Sequence, residues 1–422
     1  MSESYSASGL LSEGPVEGVP RFAPAGVVPH LEGLMVGELL LPVVVLKESS
    51  LAHNAQVMAK YCRDNQLAHA PHIKTHMSPE LANLQLGAGA WGLTVANVSQ
   101  ARVLRGFGAQ RLLIANEVID MQSLRWVAHE LNTHSEFELS CLVDSLDGVH
   151  LMQAALSAAD LRRPLPVLLE LGFAGGRTGC RSVEEALEVA DVIGEATTLR
   201  LVGVECYEGL FGSEPDQATI GSVDALLGQL ASLATALDAR GAWSELDEVL
   251  FSAGGSAFFD RVVYHGRQAK CSRPVRVVLR CGSYLTHDHG SYQRTSPFGT
   301  RLEEYPRLEP AAELWACVTS TPEPGLAILG FGKRDCPYDL ALPVPLAHQK
   351  QDGSLRDLSS GAKVTSMNDQ HAYMKTGPAE PLEPGDIVRL GMSHPCTIFD
   401  KWRALPVVDD QYRVTRTVNT YF

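Results

Sequence analysis

Several things are missing from this chain of 422 residues, and each absence removes a class of explanation. Its nine cysteines are scattered and never form a CxxC pair, which fits free thiols in a reducing compartment. Its longest oily run, Leu39 to Leu46, falls well short of the roughly 20 apolar residues that span a bilayer. The opening MSESYSASGLLSEGPVEG has neither a basic n-region nor an apolar core, so no secretory signal is expected there. Basic charge is scarce: 35 Lys and Arg against 49 Asp and Glu leave a net charge of −14, which argues against a nucleic-acid partner. Coiled-coil heptads, low-complexity tracts and short tandem repeats are absent as well. The expectation is a cytoplasmic protein with no membrane or nucleic-acid partner.

What is present is an ordinary globular composition, 45% hydrophobic and 20% charged, in a chain long enough for two domains. Residues 1 to about 25, rich in Ser, Gly, Pro and Glu, read as a loosely held arm, and Val27 to Leu40 as a short helix. Strands are expected at Leu41–Leu46, Leu67–Ile73, Gly92–Val95, Arg111–Ala115, Val167–Leu171, Leu201–Glu205, Val249–Ala253 and Val275–Arg280. Helical intervals separate them, among them Lys47–Lys60, Pro79–Leu86, Val98–Gly106, Glu184–Ile193 and Ile220–Ala239. Eight strands in successive βα units predict a (β/α)8 TIM-type barrel over residues 41–290. After about Ser291 Pro and Gly become frequent, and short runs such as Leu314–Ser320, Leu326–Gly330, Lys363–Met367 and Asp386–Leu390 predict a C-terminal all-β domain, residues 291–422.

The stretch most charged with chemistry is HAPHIKTHMSPELANLQLGAGAWGLTV, from His69 to Val95. An apolar strand leads to Lys74, and Ser78-Pro79-Glu80 then supplies an N-cap, a proline at the first helical position and an acidic first turn. Lys74 is thereby delivered to the C-terminal end of a strand, where parallel α/β folds collect their active sites, and a shielded lysine there can attack a carbonyl. The wording Pro71-His72-Ile73-Lys74-Thr75-His76, followed by Gly89-Ala90-Trp91-Gly92, resembles the lysine segment of the D-serine dehydratase and D-threonine aldolase family, fold-type III enzymes with an alanine-racemase-like barrel. The resemblance implies pyridoxal 5'-phosphate as cofactor, held by Lys74 as a Schiff base. It also implies a homodimer and an N-terminal segment, residues 1–40, that partly joins the β domain. His72 and His76 receive no role.

A pyridoxal phosphate site also needs an anion cradle and partners for the ring. Gly254, Gly255 and Ser256 follow one late barrel strand, and Gly282, Ser283 and Tyr284 follow the next; glycines there let backbone N–H groups approach a phosphate. Gly172-Phe-Ala-Gly-Gly-Arg-Thr-Gly179 resembles the family's glycine and arginine segment, which places Arg177 against the ring or its phenolic oxygen. Tyr207 and Tyr284 are the candidate aromatic contacts.

The remaining motif is Gly391-Met-Ser-His-Pro-Cys-Thr-Ile-Phe-Asp-Lys-Trp402. In an extended segment His394 and Cys396 point to the same side, and their nitrogen and sulfur favour zinc, with another divalent metal as the alternative. The resemblance supports this, because D-serine dehydratases carry His-x-Cys at this place and D-threonine aldolases typically His-x-Asp. By the same resemblance His371, in Asn368-Asp369-Gln370-His371, is a proton carrier near the leaving hydroxyl, with a plain surface turn as the alternative.

The function so implied is a lyase that dehydrates and deaminates a β-hydroxy-D-amino acid (D-serine, D-threonine or D-threo-3-hydroxyaspartate) to a 2-oxo acid and ammonia. Lys74 takes the Cα proton and zinc acts on the hydroxyl. A metal-dependent aldolase giving glycine and an aldehyde is the nearest rival, and a racemase or a non-catalytic pyridoxal-phosphate-binding protein stands further off.

Overall fold

The structure, a computed structural model, describes residues 31–422 apart from 359–360 and 378–380. The arm expected at residues 1–25 lies outside the described residues. Of the helix expected over Val27–Leu40, the described part holds only a 3-10 turn, Val36–Glu38.

After a first strand, β1 (Val43–Lys47), eight parallel strands follow: β2 (Ala68–His69), β3 (Leu93–Val95), β4 (Arg111–Glu117), β5 (Glu138–Val143), β6 (Leu165–Glu170), β7 (Leu199–Cys206), β8 (Val249–Ala253) and β9 (Val275–Leu279). They form one sheet in the order β2-β9-β8-β7-β6-β5-β4-β3, and a parallel bridge between His72 and Thr94 joins its two ends. The fold class read from the sequence is thus the observed one, but the set of eight strands differs. Leu41–Leu46 stands as β1 in the other sheet, between two strands of the C-terminal domain, and Glu138–Val143, which the sequence reading passed over, takes a place in the barrel. β5 alternates buried and less buried positions at its start, so it lacks the continuous apolar run that marks its neighbours.

The helices begin where short polar residues take up free N–H groups. Asn97, Asp120, Ser145, Ser182 and Asp216 each accept a hydrogen bond from the backbone N–H three residues on, at 2.7–3.3 Å, each worth about 1 kcal/mol against alanine. The helix Gln217–Ala239 is long and apolar enough to cross a membrane by length and composition, and it sinks Leu226, Leu227, Leu230 and Leu237 into the barrel core. Inside the barrel, Ala68, Ala70, Leu113, Leu142, Leu168, Leu250 and Val278 fill the interior.

The second sheet contains β10 (Ala312–Glu323), β11 (Leu326–Leu329), β12 (Val344–Gln349), β13 (Leu355–Asp357), β14 (Lys363–Met367), β15 (Ala372–Lys375), β16 (Ile387–Gly391), β17 (Ala404–Val408) and β18 (Val414–Asn419) with β1. Its main path runs β13-β12-β16-β10-β1-β17-β18, and every pairing is antiparallel except that of β1 with β17. Residues 31–36 lean on this sheet: Gly33 N–H donates to Val414 O, and Leu31 and Val36 pack with Val43, Val45 and Trp315. Lys47 thus leaves the β domain directly into the first barrel helix, Glu48–Asp64.

Candidate active site

The C-terminal ends of the barrel strands open into a cavity of about 480 Å³, within the range of small-molecule sites. Lys74 stands in it. β2 is only two residues long, and the chain then turns through a 3-10 segment, Ile73–Thr75, so that Lys74 sits just beyond the strand rather than within it. The surface Lys74 exposes is cavity surface. Burial by the cavity walls lowers the pKa of its ammonium, Arg177 and Arg280 push the same way, and Cys396 opposes them.

Of the residues singled out in the sequence, Arg177, Tyr207, Gly254, Ser256, Gly282, Ser283, His394 and Cys396 line the same cavity as Lys74. The Arg177 guanidinium lies over the Tyr207 ring, 5.0 Å from its centroid. Three others are placed elsewhere. Gly255 is not on the cavity wall, and its N–H donates to the buried Glu208 carboxylate at 2.7 Å. Tyr284 is buried on the far side of its strand end, where Gln85 donates to its hydroxyl at 3.1 Å and His69 meets its ring edge-on. His371 is exposed in the turn between β14 and β15 and does not line the cavity.

The walls include groups that the sequence reading left without a role. Arg280 and Glu205, both almost fully buried, form an ion pair at 2.5 Å. Arg280 Nη1 has no partner among the described residues and is available to a ligand. Burial holds the Glu205 carboxyl up to about 7 despite Arg280, and burial with the neighbouring Glu117 raises Glu170, which accepts the Thr178 hydroxyl at 2.7 Å, to about 8. His72, beside Lys74, is kept well below the ordinary imidazole range by burial and by Lys74. Each of these titratable groups ends an apolar strand or precedes the lysine, and such a group is costly to bury unless it is paired and hydrogen-bonded. That was the available signal.

His394 and Cys396 both line the cavity, on a backbone geometry different from the extended one expected. His394 adopts a left-handed backbone, φ 63° and ψ 78°, and Pro395–Thr397 follow as a 3-10 turn. The His394 ring is hydrogen-bonded through Nδ1 to Asp339, whose other oxygen accepts the Thr397 hydroxyl at 3.2 Å. Burial would raise the Cys396 thiol, but hydrogen bonds from His394, Ser283 and Thr75 outweigh it and favour the thiolate. The two hydroxyls lie 3.5 and 3.6 Å from Sγ. Tyr292, in the short helix Ser291–Thr295, completes this corner, with its phenol kept protonated by burial.

These residues fit the groups the sequence suggests. A Cβ on Gly282 would lie 2.2 Å from His72 O, so only glycine lets these two strand ends approach; with Ser256 and Ser283 beside it, this corner offers donors to a phosphate. Arg280, whose Nη1 is a buried donor without a partner among the described residues, adds fixed positive charge to the cavity wall. Among the described residues no group of three or more His, Cys, Asp or Glu is arranged around a point. A metal in this cavity would find its protein donors in the His394 imidazole and the Cys396 sulfur, a pair suited to zinc.

Comparison with known proteins agrees with this architecture. A family model described as the alanine racemase N-terminal domain matches residues 46–274, and one described as a putative serine dehydratase domain matches residues 311–408. The chain belongs to the alanine-racemase-like D-serine dehydratase and D-threonine aldolase family. The 3-hydroxy-D-aspartate aldolase of Paracoccus denitrificans (strain Pd 1222) is 26% identical over 323 residues, 75% of this chain and 78% of that protein. The D-threonine aldolase of an Arthrobacter species is 24% identical over 375 residues, 87% and 89% of the two chains. The same fold is seen in D-threonine aldolase from Filomicrobium marinum, with a TM-score of 0.76 at 23% identity over 93% of this chain and 98% of that one. It recurs in D-threo-3-hydroxyaspartate dehydratase from Delftia sp. HT23, with a TM-score of 0.69 at 19% identity over 92% and 99%.

Proposed function

We propose that this chain is a pyridoxal-phosphate- and zinc-dependent lyase that dehydrates and deaminates a β-hydroxy-D-amino acid to a 2-oxo acid and ammonia. The observation that carries the reading is the meeting of Lys74 with His394 and Cys396 in one cavity. D-threo-3-hydroxyaspartate dehydratase has been solved as a histidine variant and as a cysteine variant two positions apart, the cysteine variant in a metal-free form. His394 and Cys396 have the same spacing.

Pyridoxal phosphate supplies an electron sink for charge developing at Cα, and zinc supplies a Lewis acid for a poorly leaving hydroxyl. The protein's own part is to hold and move protons. Lys74 Nζ, with its pKa lowered by burial, is the base for the Cα proton. Tyr292, protonated and beside the His394–Cys396 corner, donates a hydrogen bond to the departing oxygen. Arg177 and Arg280 supply permanent positive charge for the phenolic oxygen, the ring or the carboxylate. The Glu205 carboxylate keeps Arg280 in place.

A metal-dependent aldolase is the second reading, favoured by two relatives that are themselves aldolases. It uses the same lysine and the same metal corner, and it breaks Cα–Cβ instead of Cβ–O. Product analysis separates the two. Purified protein loaded with pyridoxal phosphate and zinc is given D-serine, D-threonine and D-threo-3-hydroxyaspartate, with the L-isomers as controls. Ammonia with a 2-oxo acid is the expected result, lost on chelation, whereas glycine with an aldehyde overturns the dehydratase in favour of the aldolase. We further propose a homodimer, which light scattering of the eluting protein tests directly.

A further inference from the structure

The left-handed backbone of His394 needs an explanation, because a non-glycine residue holds it only where its surroundings fix it. One side chain does much of the fixing. Asp288 follows the last barrel strand, is 2% exposed, and divides its two oxygens between two chain segments. Oδ1 accepts the N–H groups of Gly290, Tyr292 and Gln293 at 3.0, 2.9 and 3.2 Å. Oδ2 accepts the N–H of His394 at 3.0 Å. The first set holds the turn that brings Tyr292 to the cavity, and the second holds the residue that brings the imidazole there. The two segments are interlocked around it: His289 N–H donates to Met392 O at 3.0 Å, and a Cβ on Gly290 would lie 2.5 Å from Ser393 Cβ.

We infer that Asp288 is a positioning residue for the metal corner: it locks His394 in the left-handed conformation that lets the imidazole and the Cys396 thiolate face one ion, and it sets Tyr292 beside them. Asp339 orients the ring of His394 through Nδ1, whereas Asp288 places the backbone from which the ring projects. The division of labour is physical. His394 is left-handed, a 3-10 turn follows it at Pro395–Thr397, and Asp288 Oδ2 accepts the N–H at the start of that turn. The inference rests on the reading of His394 and Cys396 as metal ligands.

The test uses the full chain loaded with pyridoxal phosphate. Asp288→Asn retains one oxygen for the Tyr292 turn but presents an NH2 group to the His394 N–H. Asp288→Ser keeps a hydroxyl that caps the turn and has no second oxygen. Zinc affinity is measured by competition with a chromophoric chelator, and the cobalt(II) form is examined for its visible d–d bands. Both variants are expected to lose about 10- to 100-fold in zinc affinity, the usual effect of removing an outer-shell partner. Their cobalt bands shift and the cofactor absorbance stays near that of the wild type, while the thermal midpoint falls by the few degrees that an unpaired buried N–H costs. A purely structural role would lower the midpoint and leave the cobalt spectrum of the folded fraction unchanged. If either variant folds and binds zinc within twofold of the wild type with unaltered cobalt bands, the positioning role is overturned. If the wild-type protein itself takes up neither zinc nor cobalt, the metal reading fails and the inference falls with it.

Discussion

Replacing Gly282 by alanine tests whether the close approach of two strand ends places the lysine. The new Cβ would lie 2.2 Å from His72 O, 3.0 Å from His72 C and 3.1 Å from His72 N, all backbone atoms. Real Cβ atoms essentially never come within 3.0 Å of a neighbour, so the two segments must part from 2.2 to at least 3.0 Å, an opening of about 0.8 Å. Little else can yield, because His72 N–H is held by Arg280 O at 3.0 Å and Thr94 N–H by Pro71 O at 2.9 Å. Lys74, two residues on, is carried along. Overpacking of this kind costs roughly 1–3 kcal/mol of stability, and a misplacement of about 1 Å at a reacting group costs on the order of 100-fold in rate. Gly254→Ala is the comparison, since its Cβ meets the end of the Arg280 side chain at 3.0 Å, not backbone. Thermal melting, titration with pyridoxal phosphate followed by absorbance, and turnover of D-threonine measure the three effects. A folded Gly282→Ala protein with wild-type cofactor affinity and a rate within a few-fold of the wild type would refute the reasoning.

Three shorter tests follow. Tyr284→Phe is expected to leave cofactor affinity unchanged and to lose about 1 kcal/mol in chemical denaturation, because its hydroxyl bonds Gln85 and does not reach the cavity; a large fall in cofactor affinity would restore the role read for it in the sequence. Glu170 binds its proton more tightly folded, at about 8, than unfolded, at 4.5, so its contribution to stability is complete below about pH 4.5 and is lost as the pH rises through about 8. Glu170→Gln, permanently neutral, therefore melts near the wild type at pH 5 and several degrees above it at pH 9, and a gap independent of pH would count against the buried proton. Asp339→Ala removes the acceptor that orients the His394 ring, and it is expected to weaken zinc about tenfold in chelator competition while leaving cofactor binding intact.

The parts of this protein that follow from local chemistry could be read from its residues. The alternation of short apolar runs and helical intervals predicts the barrel because parallel strands buried on both faces show as continuous oily segments. Ser78-Pro79-Glu80 predicts the helix start because the cap, proline and acid act within one turn. Lys74 stood out by its position at a strand end. The strands that escaped or moved have equally physical reasons. β1 is as oily as a barrel strand, and only its pairing with β10 and β17 assigns it to the other sheet. β5 begins with a mixed pattern that a periodicity reading does not pick out.

The sequence by itself determined the barrel with its β domain, the lysine, the glycine-bearing strand ends and the His-x-Cys motif, since each is written within a few consecutive residues. Tertiary structure alone decided which of these meet. Tyr284 lies next to Ser283 in the chain, yet the strand end turns one into the cavity and the other toward Gln85. Arg280 and Glu205 stand 75 positions apart and become a pair only because β7, β8 and β9 are neighbours. His394 faces Cys396 through a left-handed residue whose N–H is held by Asp288, more than 100 positions earlier. Contacts of that kind depend on the closure of the sheet and the docking of the second domain, and no local pattern of residues encodes them.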